Sequence, residues 1–449
     1  MNAIHAGNQS PESPFATGQH TEPFFRKPAT RLVLLLAATL LCFPASAQPV
    51  PLEDDPYTFP FTRHQPNEIA QVQALDSFYA KLYRLRQSGE GRVNIVHIGD
   101  SHLQAGLLTA PLRKQLQALF GNAGRGLVFP YQLARSNAPP DLLASSNVGW
   151  QYNRLAHPEM ALASGVAGFC IQSSAPGALI RMALKPDPDT AQTFSSIRLF
   201  TGNDAGSGWL IQAENNDTGY GTGPGATDSL AWHEITLDHP ASSFTLFPSG
   251  SLHRFYGASL ENSQSGVLYH TIGVNGATFG QYNKAALFWQ QLAALRADLY
   301  IVSLGTNEAQ RKIIDTEALS AEMLAFVDNL KTASPGAAVL ITSPADSYFG
   351  GRSLSPSMKA VSSAFADFCL RGQGAFWDLY NITGGYGSAR SWERYRLMSH
   401  DRIHYIKPGY ELQGNLLFHT LMSGYNLFAG RYQYNPFNQL EHPAKTADK

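Results

Sequence analysis

The sequence predicts an α/β domain on a parallel sheet, interrupted by an all-β segment. Three observations lead there. Strand-like and helix-like patterns alternate in two separated stretches, roughly residues 48–125 and 257–430. Between them helical periodicity disappears, and short alternating runs punctuated by Gly, Pro, Asn and Asp replace it. The chain has 449 residues, 44% hydrophobic and only 15% charged, which suits a large core and excludes a disordered chain.

Residues 1–47 read as a leader. Arg26, Lys27 and Arg31 precede an apolar run from Leu32 to Phe43, and Ala45-Ser46-Ala47 forms a small-x-small cleavage site before Gln48. The run is too short for a comfortable membrane span. Leu41 stands before Cys42 where a lipoprotein signal would want a small residue. The expected outcome is export with cleavage and no stable membrane span.

Residues 48–125 carry the first part of the α/β domain. A helical pattern covers Ile69 to Arg86, and the β-branched run Val93 to Ile98 reads as a buried strand ending at Gly99. Pro111 to Phe120 reads as a helix with Pro in its first turn and Gly121 past its end. Residues 126–256 carry alternating runs at Leu179–Leu184, Ser196–Phe200, Trp209–Ala213, His233–Leu237 and Ser243–Phe247. A structureless loop of that length is improbable, so an inserted β-sandwich or jelly roll is expected. Residues 257–449 return to alternation. Strands are expected at Val267–Val274, Asp298–Leu304, Ala337–Thr342 and Ala375–Leu379, with helices at Phe279–Arg296, Thr316–Thr332, Pro356–Leu370 and Pro408–Gly424. Strict β-then-α order implies a parallel sheet with helices on both faces.

Several function classes drop out. A formal net charge of -1 gives no sign of bulk nucleic-acid binding, which usually needs a basic patch. No phosphate-loop motif and no Gly-x-Ser-x-Gly elbow occurs. His233-Glu234 begins like a zinc signature, but Leu237 occupies the position of the second His. After the leader only Cys170 and Cys369 remain, too few for a metal cage; buried thiols are the simpler reading, and their pairing stays open. Neither metal nor organic cofactor is implied.

In such a sheet, sites form beyond the carboxyl ends of the strands. Gly99-Asp100-Ser101-His102 follows the first strand and Gly273-Val274-Asn275-Gly276 the second. Gly305-Thr306-Asn307-Glu308 follows the third, and Asp401-Arg402-Ile403-His404 precedes the last helix. Ser101 needs a base to become a nucleophile; His404 can supply it, oriented by Asp401 three residues earlier. Backbone N–H groups of Ser101 and Gly276 and the amide of Asn307 can receive the oxyanion formed by attack on an ester. Each signal alone is weak, since Gly-Asp-Ser is commonly a helix cap. Their ordered succession at strand ends is the stronger sign.

These segments resemble the SGNH (GDSL-type) hydrolases. The resemblance implies a flavodoxin-like three-layer fold, Ser101 as nucleophile, Asp401 and His404 as its partners, and Ser101, Gly276 and Asn307 as oxyanion-hole donors. His102 and Glu308 depart from the plain pattern, which has Leu and Asp there. With them the chain resembles the branch containing bacterial peptidoglycan O-acetylesterases, which inserts a β-sandwich like a carbohydrate-binding module between the first and second blocks. Phe255 to Asn262, Gly266-Val267 and Gly273 to Ala277 look like that branch's return into the hydrolase domain.

Competing roles nearby are structural. His97 reads as a core histidine, His102 as a pocket residue and Asp100 as a helix cap. His400 has Leu397 where a partner Asp would be needed. Trp150, Tyr152, Trp209, Tyr220 and Trp232 are more often core than sugar platform. The resemblance implies an exported, periplasmic serine esterase acting on O-acetylated peptidoglycan or a related envelope glycan. An O-acetyltransferase using the same triad, or a non-catalytic glycan-binding protein, are the alternatives. The sequence leaves the oligomeric state and the exact acyl position open.

Overall fold

The computed structural model describes residues 49–52, 59–62, 66–156, 158, 160–187, 192–202, 207–222 and 232–433. The expected leader lies outside them. The described residues fall within one compact unit.

In chain order the strands are β1 (Ile69–Ala70), β2 (Arg92–Gly99), β3 (Gly124–Val128), β4 (Leu142–Ser146), β5 (Gln151–Arg154), β6 (Phe169–Ser173), β7 (Ile180–Leu184), β8 (Phe194–Thr201), β9 (Gly208–Ala213), β10 (Tyr220–Thr222), β11 (His233–Ala241), β12 (Ser243–Ser249), β13 (His253–Glu261), β14 (Gly266–Gly273), β15 (Leu299–Ser303), β16 (Ala338–Thr342), β17 (Tyr348–Phe349), β18 (Ser353–Leu354) and β19 (Ala375–Trp377).

The main sheet has the order β1-β19-β16-β15-β2-β14. Strands β14, β2, β15, β16 and β19 are parallel; only the edge strand β1 runs antiparallel. Numbered by appearance, the parallel strands follow the flavodoxin-like order 2-1-3-4-5. The chain goes from β2 to one side, then crosses to β15 on the other. The crevice at that reversal lies between the ends of β2 and β15, where Ser101 and Asn307 follow.

Side chains sort onto the two faces with period two. Val93, Ile95, Leu299, Ile301, Leu340 and Trp377 join the cluster under helices Asp76–Ser88, Thr109–Phe120 and Lys407–Gln433. Val96, Ile98, Tyr300, Val302, Ile341 and Phe376 join the opposite cluster, with helices Ala286–Leu292, Thr316–Ala333 and Met358–Phe368. The result is a three-layer α/β/α arrangement.

The all-β region has two antiparallel sheets, β10-β9-β12-β7-β4 and β11-β8-β13-β6-β5, with β3 beside β13. Their inner faces touch: Phe194 meets Phe244 at 5.7 Å between ring centroids, and Trp209 meets Phe255 at 6.0 Å. The core of these sheets is continuous with one face of the α/β part. Gln291 bridges the two by accepting from the Val166 N–H at 2.9 Å. The expected boundaries near 125 and 256 fall inside β3 and β13, which pair with each other. Trp150, Trp209, Cys170 and Cys369 are buried.

Three helix expectations are corrected. The pattern from Ile69 begins instead with β1, whose Ile69 pairs with Trp377, and a 3-10 turn at Val72–Leu75 before the helix. The segment expected as one helix at Phe279–Arg296 breaks at Lys284–Ala285 into Phe279–Asn283, Ala286–Leu292 and a 3-10 turn at Ala293–Leu295; at the break the Tyr282 carbonyl accepts from the Ala285 N–H at 2.9 Å and from the Trp289 indole N–H at 2.8 Å. The last helix runs past Gly424 to Gln433, because that glycine makes room for a neighbour and is not a cap. A Cβ there would lie 2.3 Å from the Tyr79 hydroxyl.

The sheet end near the crevice is tight. A Cβ on Gly273 would lie 2.3 Å from the Gln104 nitrogen. Gly273→Ala is therefore expected to lower stability by about 1–3 kcal/mol through overpacking, whereas Gly149→Ala, with open space around it, is expected to be near neutral. Thermal unfolding of the two variants beside the parent checks this.

Candidate active site

Ser101 is the first residue of a four-residue helix, Ser101–Gln104, that starts as β2 ends. Its N–H is therefore among the amides that lack an intrahelical partner. Asp100 caps this turn by accepting from the His102 N–H at 2.9 Å. Gly99 is required by closeness, since a Cβ there would lie 2.5 Å from the Ser303 carbonyl. The Tyr282 hydroxyl donates to the Gly99 carbonyl at 2.8 Å and fixes the strand end.

The opposite wall is the short loop before the last helix. Met398 and Tyr405 form an antiparallel bridge, the Ser399 N–H donates to the His404 carbonyl at 2.8 Å, and Arg402 turns the chain with φ +59°. This loop carries Asp401 and His404 back toward β2. His404 Nε2 lies 2.7 Å from Ser101 Oγ, and His404 Nδ1 lies 2.6 Å from Asp401 Oδ2. Asp401 Oδ1 accepts from the Ser399 hydroxyl at 2.7 Å and from the N–H groups of Ile403 and His404, each at 2.9 Å. Partial burial works against the Asp401 charge, but the Ile403 and His404 amides, with the His404 ring and the Ser399 hydroxyl, hold it well below the usual carboxylate range. An ionised Asp401 accepts the proton on Nδ1, which leaves Nε2 to accept from Ser101.

Gly276 has φ +83°, a left-handed conformation that favours glycine. The preceding Asn275 N–H donates to Gln104 Oε1 at 3.0 Å. Asn307, after β15, directs its amide to the Ala277 carbonyl at 2.9 Å and to Asp100 Oδ2 at 3.4 Å. The second contact is long and weak. It marks the amide proton that an incoming oxygen can take with least loss. Ser101, Gly276, Asn307, Asp401 and His404 all line one cleft of about 460 Å³.

His102 lines the same cleft. Its ring centroid is 5.2 Å from that of His404, and Nδ1 is 3.0 Å from the Tyr410 hydroxyl. Burial, with the neighbouring His404 adding to it, pushes His102 down to about 3, so it stays neutral beside His404. His97 stands apart in the core between Tyr269 and Ser303, 2.7 Å from each hydroxyl. Three supporting residues escaped the sequence reading. Gln104 ties the Gly276 loop to Ser136 and Asn137. Gln310 clasps Tyr348 and Gly350, and the Tyr348 N–H in turn donates to the Arg402 carbonyl at 3.0 Å. Ser399 steadies Asp401. The last had a local signal, a serine two residues before an aspartate in a turn; the glutamines had none.

Residues 228–412 match the GDSL-like lipase/acylhydrolase family model. The match takes in Gly276, Asn307, Asp401 and His404 and begins after Ser101. Among solved structures, a peptidoglycan O-acetylesterase is 24% identical over 79% of this chain and 97% of that one, with a TM-score of 0.67. A lipase/acylhydrolase from Enterococcus faecalis is 17% identical over 36% of this chain and 77% of its own, with a TM-score of 0.27. An acetylxylan esterase from Geobacillus stearothermophilus is 12% identical over 35% and 73%, with a TM-score of 0.27. No curated protein sequence matches the chain.

Glu308, beside Asn307, is buried. Its Oε1 accepts from the Phe279 N–H at 2.9 Å, and its Oε2 has no partner among the described residues. Burial pushes its carboxyl up to about 7, against the pull of the Phe279 N–H. Between the ordinary value of 4.5 and about 7 the folded chain binds more protons here than the unfolded chain. The Glu308 contribution is therefore full below pH 4.5 and declines as pH rises toward 7. Glu308→Gln should remove that slope, so that the variant gains melting temperature relative to the parent on going from pH 5 to pH 8. Paired calorimetry at the two pH values measures it.

Proposed function

We propose that this GDSL/SGNH-type esterase is exported and removes O-acetyl groups from peptidoglycan or a related cell-envelope glycan through an acetyl-serine intermediate. The observation that carries the reading is the continuous chain of contacts from Ser101 Oγ through His404 to Asp401. The likeness to a peptidoglycan O-acetylesterase along nearly that chain's full length supports the choice of substrate. The basic and apolar leader pattern supports export, and among the described residues no helix is long and apolar enough to cross a membrane.

Ser101 attacks the acetyl carbonyl while His404 Nε2 takes its proton. The imidazolium is stabilised by Asp401, which keeps its charge because four donors converge on it. The oxyanion is received by the Ser101 and Gly276 amides and by the Asn307 proton that rests loosely on Asp100. His404 then protonates the departing sugar oxygen. Solvent reaches this edge of the cleft, since the His404 side chain is 35% exposed. Water can therefore take the position of the departed sugar and attack the acyl carbonyl as His404 takes its proton; the bond to Ser101 Oγ then breaks, the proton returns to Oγ, and acetate is released.

The purified chain should hydrolyse p-nitrophenyl acetate and release acetate from O-acetylated sacculi, but not from base-treated sacculi. Ser101→Ala and His404→Ala should abolish turnover. Asp401→Asn should lower kcat about 10⁴-fold by presenting the wrong partner to Nδ1, and Asn307→Ala about 10²- to 10³-fold. Equal turnover by the parent and Ser101→Ala would refute the mechanism.

A further inference from the structure

A second cleft, of about 340 Å³, adjoins the first, and Leu107 lines both. The strip that separates them is short: Asn137 faces the catalytic cleft, and Pro139 to Asp141 line the second. Gln104, which holds Asn137 and the Gly276 loop, also reaches its wall. One side comes from the start of helix Thr109–Phe120, the other from residues at the ends of β4 and β7.

The lining holds Arg113, Lys114, Arg125, Lys185 and Lys407 against the three carboxylates of Asp141, Asp187 and Glu411. Arg113 and Arg125 are buried and share a single carboxylate. Arg125 binds Asp141 through Nε at 2.6 Å and Nη2 at 3.0 Å, and Arg113 through Nη2 at 3.0 Å. Lys114 pairs with Asp187, and Lys407 with Glu411 at 3.6 Å. Lys185 is exposed and makes no ion pair among the described residues. The cleft thus keeps an excess of positive charge inside a chain whose overall charge is close to neutral. A concave site with low-dielectric walls focuses such a field toward a negative ligand.

We propose that this cleft is a subsite for a carboxylate-bearing part of the glycan next to the acetylated sugar, so that the enzyme prefers an acidic acetylated polymer to a neutral one. The proposal rests on the esterase reading. The acetylated sugar sits at Ser101, the chain passes Leu107, and the adjoining acid meets Lys185 above the Arg113–Asp141–Arg125 floor. In a peptidoglycan the acid is either a peptide carboxylate or the lactyl carboxylate of a stripped glycan strand; the chemistry read by the cleft is the same.

The experiment compares the parent with Lys185→Glu on four substrates: p-nitrophenyl acetate, acetylated chitooligosaccharide, soluble O-acetylated peptidoglycan fragments, and the same fragments after amidase has removed their peptides. The expected result is a fall of about fivefold or more in kcat/KM for one or both of the acidic fragments relative to the neutral oligosaccharide, carried by KM, and weakened by added salt. Amidase frees the lactyl carboxylate, which in intact fragments is bound as an amide: a fall confined to intact fragments assigns the contact to a peptide carboxylate, a fall confined to amidase-treated fragments assigns it to the lactyl group, and a fall on both shows that the cleft reads either acid. An unchanged ratio of acidic to neutral substrate, or an equal loss on all four, overturns the subsite while leaving the esterase in place. Absence of p-nitrophenyl acetate turnover by the parent overturns the esterase reading itself.

Discussion

The site depends on β2 lying between β14, the edge strand, and β15. That single placement brings three strand ends to one edge. It is enforced by backbone closeness. Gly99 must pass the Ser303 carbonyl, and Gly273 must pass the turn that carries Ser101. Apolar alternation along β2 and β15 supplies the driving force, one row facing each helical layer. The fourth component, Asp401 and His404, arrives from the chain just before the last helix, whose inner face packs under the same sheet.

Much of this was readable from the residues because each strand is an apolar run that stops at glycine and a polar group. Val93 to Gly99 followed by Asp100-Ser101 states both the strand and the chemistry at its end. Leu304-Gly305 followed by Thr306-Asn307 does the same for β15. Strands β7, β8, β9, β11 and β12 were visible from their alternation, whereas β3 and β13 were not. Most residues of β13 are buried on both faces, so its pattern has no period to detect. Gln104 and Gln310 were invisible for another reason. Their use is set by what the fold places beside them, and a glutamine on a surface helix looks the same as one that clamps a loop.

Two neighbouring carboxyls show how environment divides roles among like groups. Asp401 sits at the rim under converging donors and keeps its charge. Asp100 is fully buried, and burial pushes it up to about 6 despite the His102 amide. The first can steady a cation on His404. The second holds the Asn307 amide loosely enough for that proton to be redirected. The roles assigned to Ser101, Asp401 and His404 remain our proposal, and the contacts among them are what make it specific.

The hydrogen bond between Ser101 and His404 closes a span of 303 positions. The all-β region and the greater part of the parallel sheet lie within that span. A chain that ends before residue 401 therefore holds Ser101 without the imidazole that faces it. On the proposed reading of the site, chemical competence waits for the stretch of chain that carries residues 401–404. Under that reading, the architecture keeps a chain that lacks those residues silent toward any ester it meets.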